Sequence, residues 1–266
     1  PALLPSQSSY ANGKSGPNAD NGFEMVFAIW PRYLEGYPRA MTGVTPRSLG
    51  PMTAPEVAAG RWHLLVPLGS TEQHGPHLPL DTDTRIAVAV AESAAAQVIN
   101  AVVAPALPIS AAGEHAGFAG TLSIGSEAAI AMLVEIVRTA GAEFESITVV
   151  NGHGGNHAAV RAAVEVCEHE GRLLGSWSPA HPHGDAHAGR TETSVMLAIA
   201  PGVVRLDRAE AGATGPIGDM IDDLRERGVA AVAPNGVLGD PTGASAHEGD
   251  VILGAWVAEV VAMLRT

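Results

Sequence analysis

The sequence predicts an α/β fold in which helices cover a mostly parallel sheet. From Leu49 onward, short apolar β-like runs alternate with Ala-rich helical stretches, the pattern of strands joined by crossover helices. Few of those runs alternate polar with apolar residues, which suits strands buried on both faces. With 266 residues, 46% of them apolar, the chain can fill one large domain or two small ones.

The first 48 residues stand apart from this pattern. "SQSSYANGKSGPNADNG" is polar and turn-rich, and "FEMVFAIWPRYLEGYPRAM" follows it; all three tyrosines and six of the eleven aromatics precede residue 38. Residues 1–48 read as an N-terminal extension, part flexible and part docking on the domain or a neighbouring subunit, with a non-native leader as the competing reading. Gly13-Lys14-Ser15 looks like the end of a phosphate loop, but Ser8 stands where the first glycine belongs and no strand precedes it.

Within residues 49–266 the expected strands are Trp62–Leu68, Ala101–Leu107, Ser146–Val150 and Arg172–Trp177. The expected helices are Thr84–Val98, Ser126–Ala140, Asn156–Glu170, Thr191–Ile199, Ile217–Arg227 and Glu248–Leu264. Each strand runs into a polar, Gly-rich loop with histidine: "GSTEQHGPH", "ISAAGEHAG", "NGHGGNH" and "SPAHPHGDAHAGRTE". In an open parallel sheet ligands bind outside the carboxyl ends of the strands, so these loops should converge on one crevice.

Charge and composition narrow the classes of partner. The net charge of −13, from 28 acids against 15 bases with Lys14 the one lysine, repels a phosphate backbone and argues against nucleic acid. Cys167 is the single cysteine, so no internal disulfide forms, and a cytoplasmic location is the simplest expectation. It reads as a structural thiol on a helix rather than a nucleophile. The apolar stretch from Ile86 to Val103 carries Glu92, Gln97 and Asn100, which is poor for a bilayer core, and no secretory signal is expected.

Metal-friendly side chains gather on the loops. Glu72 and His74 are two apart, so an extended segment turns both to one face. Asp83 stands just ahead of the next helix, where a helix N-terminus favours a carboxylate whose two oxygens can bridge a pair of cations. His153 follows the third strand between Gly152 and Gly154, and Glu192 begins the helix after the fourth loop. Taken singly, Asp83 also reads as an N-cap, His153 as a loop histidine and Glu192 as a first-turn acid. Taken together on one sheet edge they favour a catalytic site for zinc, iron(II) or manganese, since no cysteine is among the ligands. His187, five residues before Glu192, is placed to handle a proton. The candidates for substrate binding are His77, Glu114, His115 and Phe118.

The strings "PLGSTEQHGPHLPLDTD", "GEHAGFAGTLSIG", "NGHGGN" and "HAGRTETS" resemble those of the creatininase (creatinine amidohydrolase) family, from Leu49 to the C-terminus. The resemblance implies a three-layer α/β/α sandwich, a two-metal site and hydrolysis of an amide. It implies that Glu72 and His153 hold one metal and His74 and Glu192 the other, with Asp83 bridging and His187 as the catalytic proton-handling residue. It implies two divalent ions per subunit, Fe2+ and/or Zn2+ with Mn2+ as a further candidate, and a homo-oligomer, typically a hexamer. Creatininases look like "NGHYEN" at the third motif, with an acid where this chain has Gly155. That departure argues against creatinine as substrate and makes Glu192 the replacement ligand. The first motif is most similar to the branch of the family that trims a modified ribosomal precursor peptide near its C-terminus, releasing a crosslinked Val-Tyr unit. An amidohydrolase for a small cyclic amide or formamide is the alternative. Two cations about 3.5–4 Å apart would activate a shared water to hydroxide and polarise the scissile carbonyl. Ser123, in "GTLSIGS", lacks the context of a nucleophilic serine.

Overall fold

The computed structural model describes residues 46–180 and 184–265. The extension expected before Leu49 lies outside the described residues apart from Pro46, Arg47 and Ser48. Ser48 pairs with Val103, and the Arg47 guanidinium sits 4.5 Å from the centre of the Trp62 ring. The elements run α1 (Ala54–Ala58), β1 (Trp62–Leu68), α2 (Thr82–Ala95), β2 (Ala101–Val103), α3 (Gly125–Thr139), β3 (Phe144–Asn151), α4 (His157–His169), β4 (Gly175–Trp177), α5 (Arg190–Ile199), α6 (Ile217–Arg227), α7 (Val229–Val232) and α8 (Ala246–Leu264).

All four expected strands pair, in parallel, in the order β2-β1-β3-β4. Alternate residues of β1 feed opposite cores, as the two-residue period of a strand requires. Leu65 points to a cluster with Ile86, Val90, Met196, Trp256 and Val260 from α2, α5 and α8. Leu64, Val66 and Leu68 point to Leu133, Val137, Val160 and Ala163 from α3 and α4. Helices therefore cover both faces, and the fold is the expected α/β/α sandwich.

Several boundaries differ from the sequence expectation for local reasons. β2 ends at Val103 because Pro105 has no N–H to give the ladder, although Leu107 still bonds back to Pro67 and bridges Leu68. β4 starts late because Gly171, at φ +69°, closes α4 and ties Arg172 N–H back to the Cys167 carbonyl. α8 begins two residues early, at Ala246, where the Ser245 hydroxyl accepts from Glu248 N–H at 3.3 Å. The short α1 and α7 carry too few residues for a periodic signal. No helix among the described residues is long and apolar enough to cross a membrane.

The topology places the site. β1 and β3 are neighbours, but the helix after β1 packs on one face of the sheet and the helix after β3 on the other. Their carboxyl ends therefore diverge into a crevice, the switch point at which open α/β sheets bind ligands.

Candidate metal centre

The segment after β1 brings Glu72 and His74 into the crevice, both fully buried. Asp83 lies one residue inside α2, whose N-cap position is Asp81, so its carboxylate belongs to the first turn and turns inward. Its two oxygens point to different histidines. Oδ1 is 3.0 Å from His74 Nε2, and Oδ2 is 3.2 Å from His153 Nδ1. Glu72 Oε1 lies 3.2 Å from His153 Nδ1, and Glu192 Oε2 lies 4.0 Å from His74 Nε2.

Both histidines hold their outer nitrogens away from this centre. His74 Nδ1–H donates to the Glu72 carbonyl at 3.2 Å, and His153 Nε2–H donates to the Ala111 carbonyl at 3.1 Å. An imidazole whose far nitrogen is committed to a carbonyl offers a bare lone pair on the near one, the arrangement of a ligand supported from behind. The ligand atoms form the groups Glu72–Asp83–His153 and His74–Asp83–Glu192, which share Asp83, and a further group Glu72–His74–His187; within each, the atoms lie within 4.8 Å of one another.

The electrostatics of the set suit cations. Both oxygens of Glu72 and Oδ2 of Asp83 are buried without a hydrogen-bond partner, an arrangement costly for carboxylates unless a positive charge compensates. Burial opposes protonation of His74, yet Asp83, Glu192 and Glu72 raise its pKa to about 10. Burial opposes it at His153 too, and Glu72, Asp83 and Glu114 raise it well above the ordinary imidazole value. Asp83 is held ionised against its burial by those two rings, while burial pushes Glu192 up to about 7. The clustered carboxylates thus favour positive charge beside the inner nitrogens, and the residues fit a site for divalent cations.

The other candidates surround this core. His187 is buried with Nδ1 3.6 Å from Glu72 Oε1, and its ring centre lies 4.3 Å from that of His74 and 4.4 Å from that of His115. Burial, with His74 and His115 close by, pushes its pKa well below the ordinary value. His115 Nε2 lies 3.1 Å from Glu72 Oε1. His77 faces α5, with Nε2 2.9 Å from the Thr193 hydroxyl, and burial beside His74 lowers its pKa to about 4. Phe118 packs on Leu224, Val229, Ala233 and Leu238 around α6 and α7. Glu114 reaches the outer side of His153, with Oε1 3.3 Å from Nε2.

Two sets of residues escaped the sequence reading. Asn151 and Asn156 lace the loops together. Asn156 accepts from Ala111 N–H and donates to the Gly69 carbonyl, while Asn151 donates to the His153 carbonyl and to Ser178 Oγ. Their place at the two ends of "NGHGGN" was the available signal. The second set is Gln73 with the 235–239 loop, where Leu238 pairs with His187. This loop has no titratable residue, so nothing in its composition marks it.

The creatininase family profile, described as creatinine amidohydrolase, matches residues 51–264. The chain belongs to the creatininase family. A "mycofactocin precursor peptide peptidase" of Mycolicibacterium smegmatis is 49% identical over 218 residues, which cover 80% of this chain and 88% of that protein. Among solved creatininases, a structure titled "Creatininase Mn" aligns with a TM-score of 0.71 at 25% identity, covering 83% of this chain and 98% of that one. A mutant creatininase titled "Zn-Zn type" aligns with a TM-score of 0.70 at 26% identity, covering 82% and 96%. The creatininase resemblance read from the four motifs is thereby borne out in family and in fold.

Proposed function

We propose that this creatininase-family chain is a metal-dependent peptidase that cleaves the modified mycofactocin precursor peptide near its C-terminus and releases the crosslinked Val-Tyr unit. The observation that carries the chemistry is the shared Asp83, whose two oxygens face the inner nitrogens of His74 and His153. The observation that carries the substrate is the relative of that name at 49% identity, against 25% for the manganese creatininase.

In this reading Glu72 and His153 would hold one cation and His74 and Glu192 the other, with Asp83 common to both groups. Iron(II) and zinc suit the mixed imidazole and carboxylate donors, and manganese is a further candidate. When bound, the pair supplies an activated water and polarises the scissile carbonyl. His187 takes a proton at Nδ1 and passes it to the leaving amine, a role its neutral, buried ring permits. Glu114 and His115 contact the substrate from the second loop, and His77 and Phe118 support the walls behind. The hydrolase domain spans 49–266, in keeping with the profile match. The protein works as a homo-oligomer, a hexamer, in the cytoplasm.

Among the described residues, the aromatics beside the crevice loops pack away from it, which favours a long substrate. Trp177 turns into the core, bonding Glu259 through Nε1 at 2.8 Å and meeting Trp256 edge-on, and Phe118 packs into the α6–α7 cluster. Neither roofs the crevice, as a site for a tiny ring would ask. The test is mass spectrometry of the zinc- or iron-loaded enzyme with the modified precursor and, separately, with creatinine. Release of the terminal dipeptide with negligible creatinine turnover is expected. Rapid creatinine turnover with an intact precursor would transfer the assignment to the small-amide alternative.

A further inference from the structure

Gln73 lies between Glu72 and His74, yet its buried side chain turns to the two histidines behind the carboxylates. Backbone groups fix both ends of its amide: Gly75 N–H donates to Oε1 at 2.9 Å, and Nε2 donates to the Gly236 carbonyl at 3.0 Å. Exchanging oxygen and nitrogen would set donor against donor and acceptor against acceptor, so the amide has one orientation. Gly236 adopts φ +79°, and a Cβ there would overlap Gln73 Oε1. Only glycine allows this loop so near.

Nε2 has two hydrogens, and Gly236 receives one. His115 Nδ1, at 2.9 Å, and His187 Nε2, at 3.1 Å, compete for the other. His187 Nε2 also lies 2.9 Å from the backbone carbonyl of Gln73, a group that can only accept. That carbonyl makes His187 Nε2 a donor, and a donor cannot receive the amide hydrogen. The second hydrogen therefore goes to His115, whose Nδ1 must be bare. Neutral His115 then carries its proton on Nε2, the nitrogen 3.1 Å from Glu72 Oε1, whereas neutral His187 has a bare Nδ1 at 3.6 Å from the same oxygen.

We infer that Gln73 is a positioning residue that orients two tautomers at once: its amide keeps Nδ1 of His115 bare and the ring proton on Nε2, on the Glu72 side, and its backbone carbonyl keeps the proton of neutral His187 on Nε2, so that Nδ1 faces the centre. What that lone pair does in catalysis rests on the peptidase reading above; the hydrogen-bond assignment does not. The same segment thus supplies two proposed ligands, Glu72 and His74, and the device that sets the neighbouring rings.

The experiment is nitrogen NMR of the zinc-loaded full-length protein carrying 15N-histidine, with His115 and His187 identified from His115→Gln and His187→Gln variants. Protonated Nε2 and unprotonated Nδ1 are expected for both rings. In Gln73→Met, which keeps the length and the backbone carbonyl but removes the donor, the His115 Nδ1 resonance should move to the position of a nitrogen without a hydrogen-bond donor, with His187 unmoved. A proton on Nδ1 of either ring in the parent protein overturns the inference without any variant. So does a His115 Nδ1 resonance that stays put in Gln73→Met. Failure to cleave the precursor, with both spectra as expected, would count against the peptidase reading and leave the tautomer assignment standing.

Discussion

Glu114 lays its carboxylate in the space that a side chain at Gly155 would occupy: a Cβ on Gly155 would overlap both Glu114 Oε1 and His153 Nε2. Creatininases resemble "NGHYEN" here and carry an acid at this position. In this chain an acid from the second loop stands on the outer side of His153 instead, while Glu192 approaches from the His74 side. The two positions are mutually exclusive, so one must be small when the other is long.

Gly155→Ala should therefore drive Glu114 off His153 and loosen the ring behind its inner nitrogen. Loss of an outer partner of this kind costs about 10–100-fold in metal affinity or activity. Competition against a chromogenic chelator should show that loss in Gly155→Ala, and a smaller one in Glu114→Gln, which keeps the size of the side chain. Parent-like affinity in Gly155→Ala would mean that the Ala111 carbonyl alone suffices to hold His153.

His187 is assigned to proton transfer, although its Nδ1 also stands within reach of Glu72 and His74 in one of the three ligand groups. The roles separate on replacement. His187→Gln should keep two cations per chain and lower kcat by about 10²–10⁴-fold, the usual contribution of a positioned acid–base group. Metal analysis beside steady-state kinetics decides it, since a fall in metal content would make His187 a ligand.

Away from the site, Glu92 on α2 is a carboxyl whose partial burial raises its pKa from 4.5 to about 7. The folded state thus holds this proton more tightly than the unfolded chain does. Such a group imposes no cost below about pH 4.5, and its cost grows as pH rises to about 7, above which it is complete. Glu92→Gln, which cannot ionise, should melt at a higher temperature than the parent at pH 8.5, with the difference shrinking toward pH 5.5. A pH-independent difference would mean that Glu92 does not carry the shift.

The legible and illegible parts of this molecule differ in physical kind. β1 is legible to its residue limits because an apolar run interrupted only by the half-buried His63, and buried on both faces beyond it, has no other stable home. The candidate ligands were legible because chemistry confined them to His, Asp and Glu, and because parallel strands must deliver their loops to one edge. The ends of β2 and β4 were not legible, since they depend on Pro105 and Gly171 acting through hydrogen bonds to distant or preceding residues. Gln73 was invisible for a different reason. An amide between two charged neighbours announces no function until the Gly236 carbonyl and two rings from other loops close around it.

The proposed bridging role of Asp83 makes the sharpest demand on metal content. If one carboxylate serves both cations, its removal affects both, whereas a terminal ligand affects one. Asp83→Asn keeps the shape but halves the capacity to bind metal through charged oxygens, and it leaves the buried Glu72 and Glu192 facing two incompletely held ions. Both cations should be lost or exchange rapidly. Glu192→Gln sits on the His74 side alone, so it should retain the ion between Glu72 and His153 and release the other, giving about one cation per chain. In both variants the packing of α2 and α5 on α8 is untouched, so far-UV circular dichroism of the metal-loaded protein should match the parent. Elemental analysis of gently purified protein reads the outcome directly. Equal metal content in Asp83→Asn and Glu192→Gln would remove the bridge from the scheme, and two ions retained in Glu192→Gln would point to His187 as the residue that completes the donors on the His74 side.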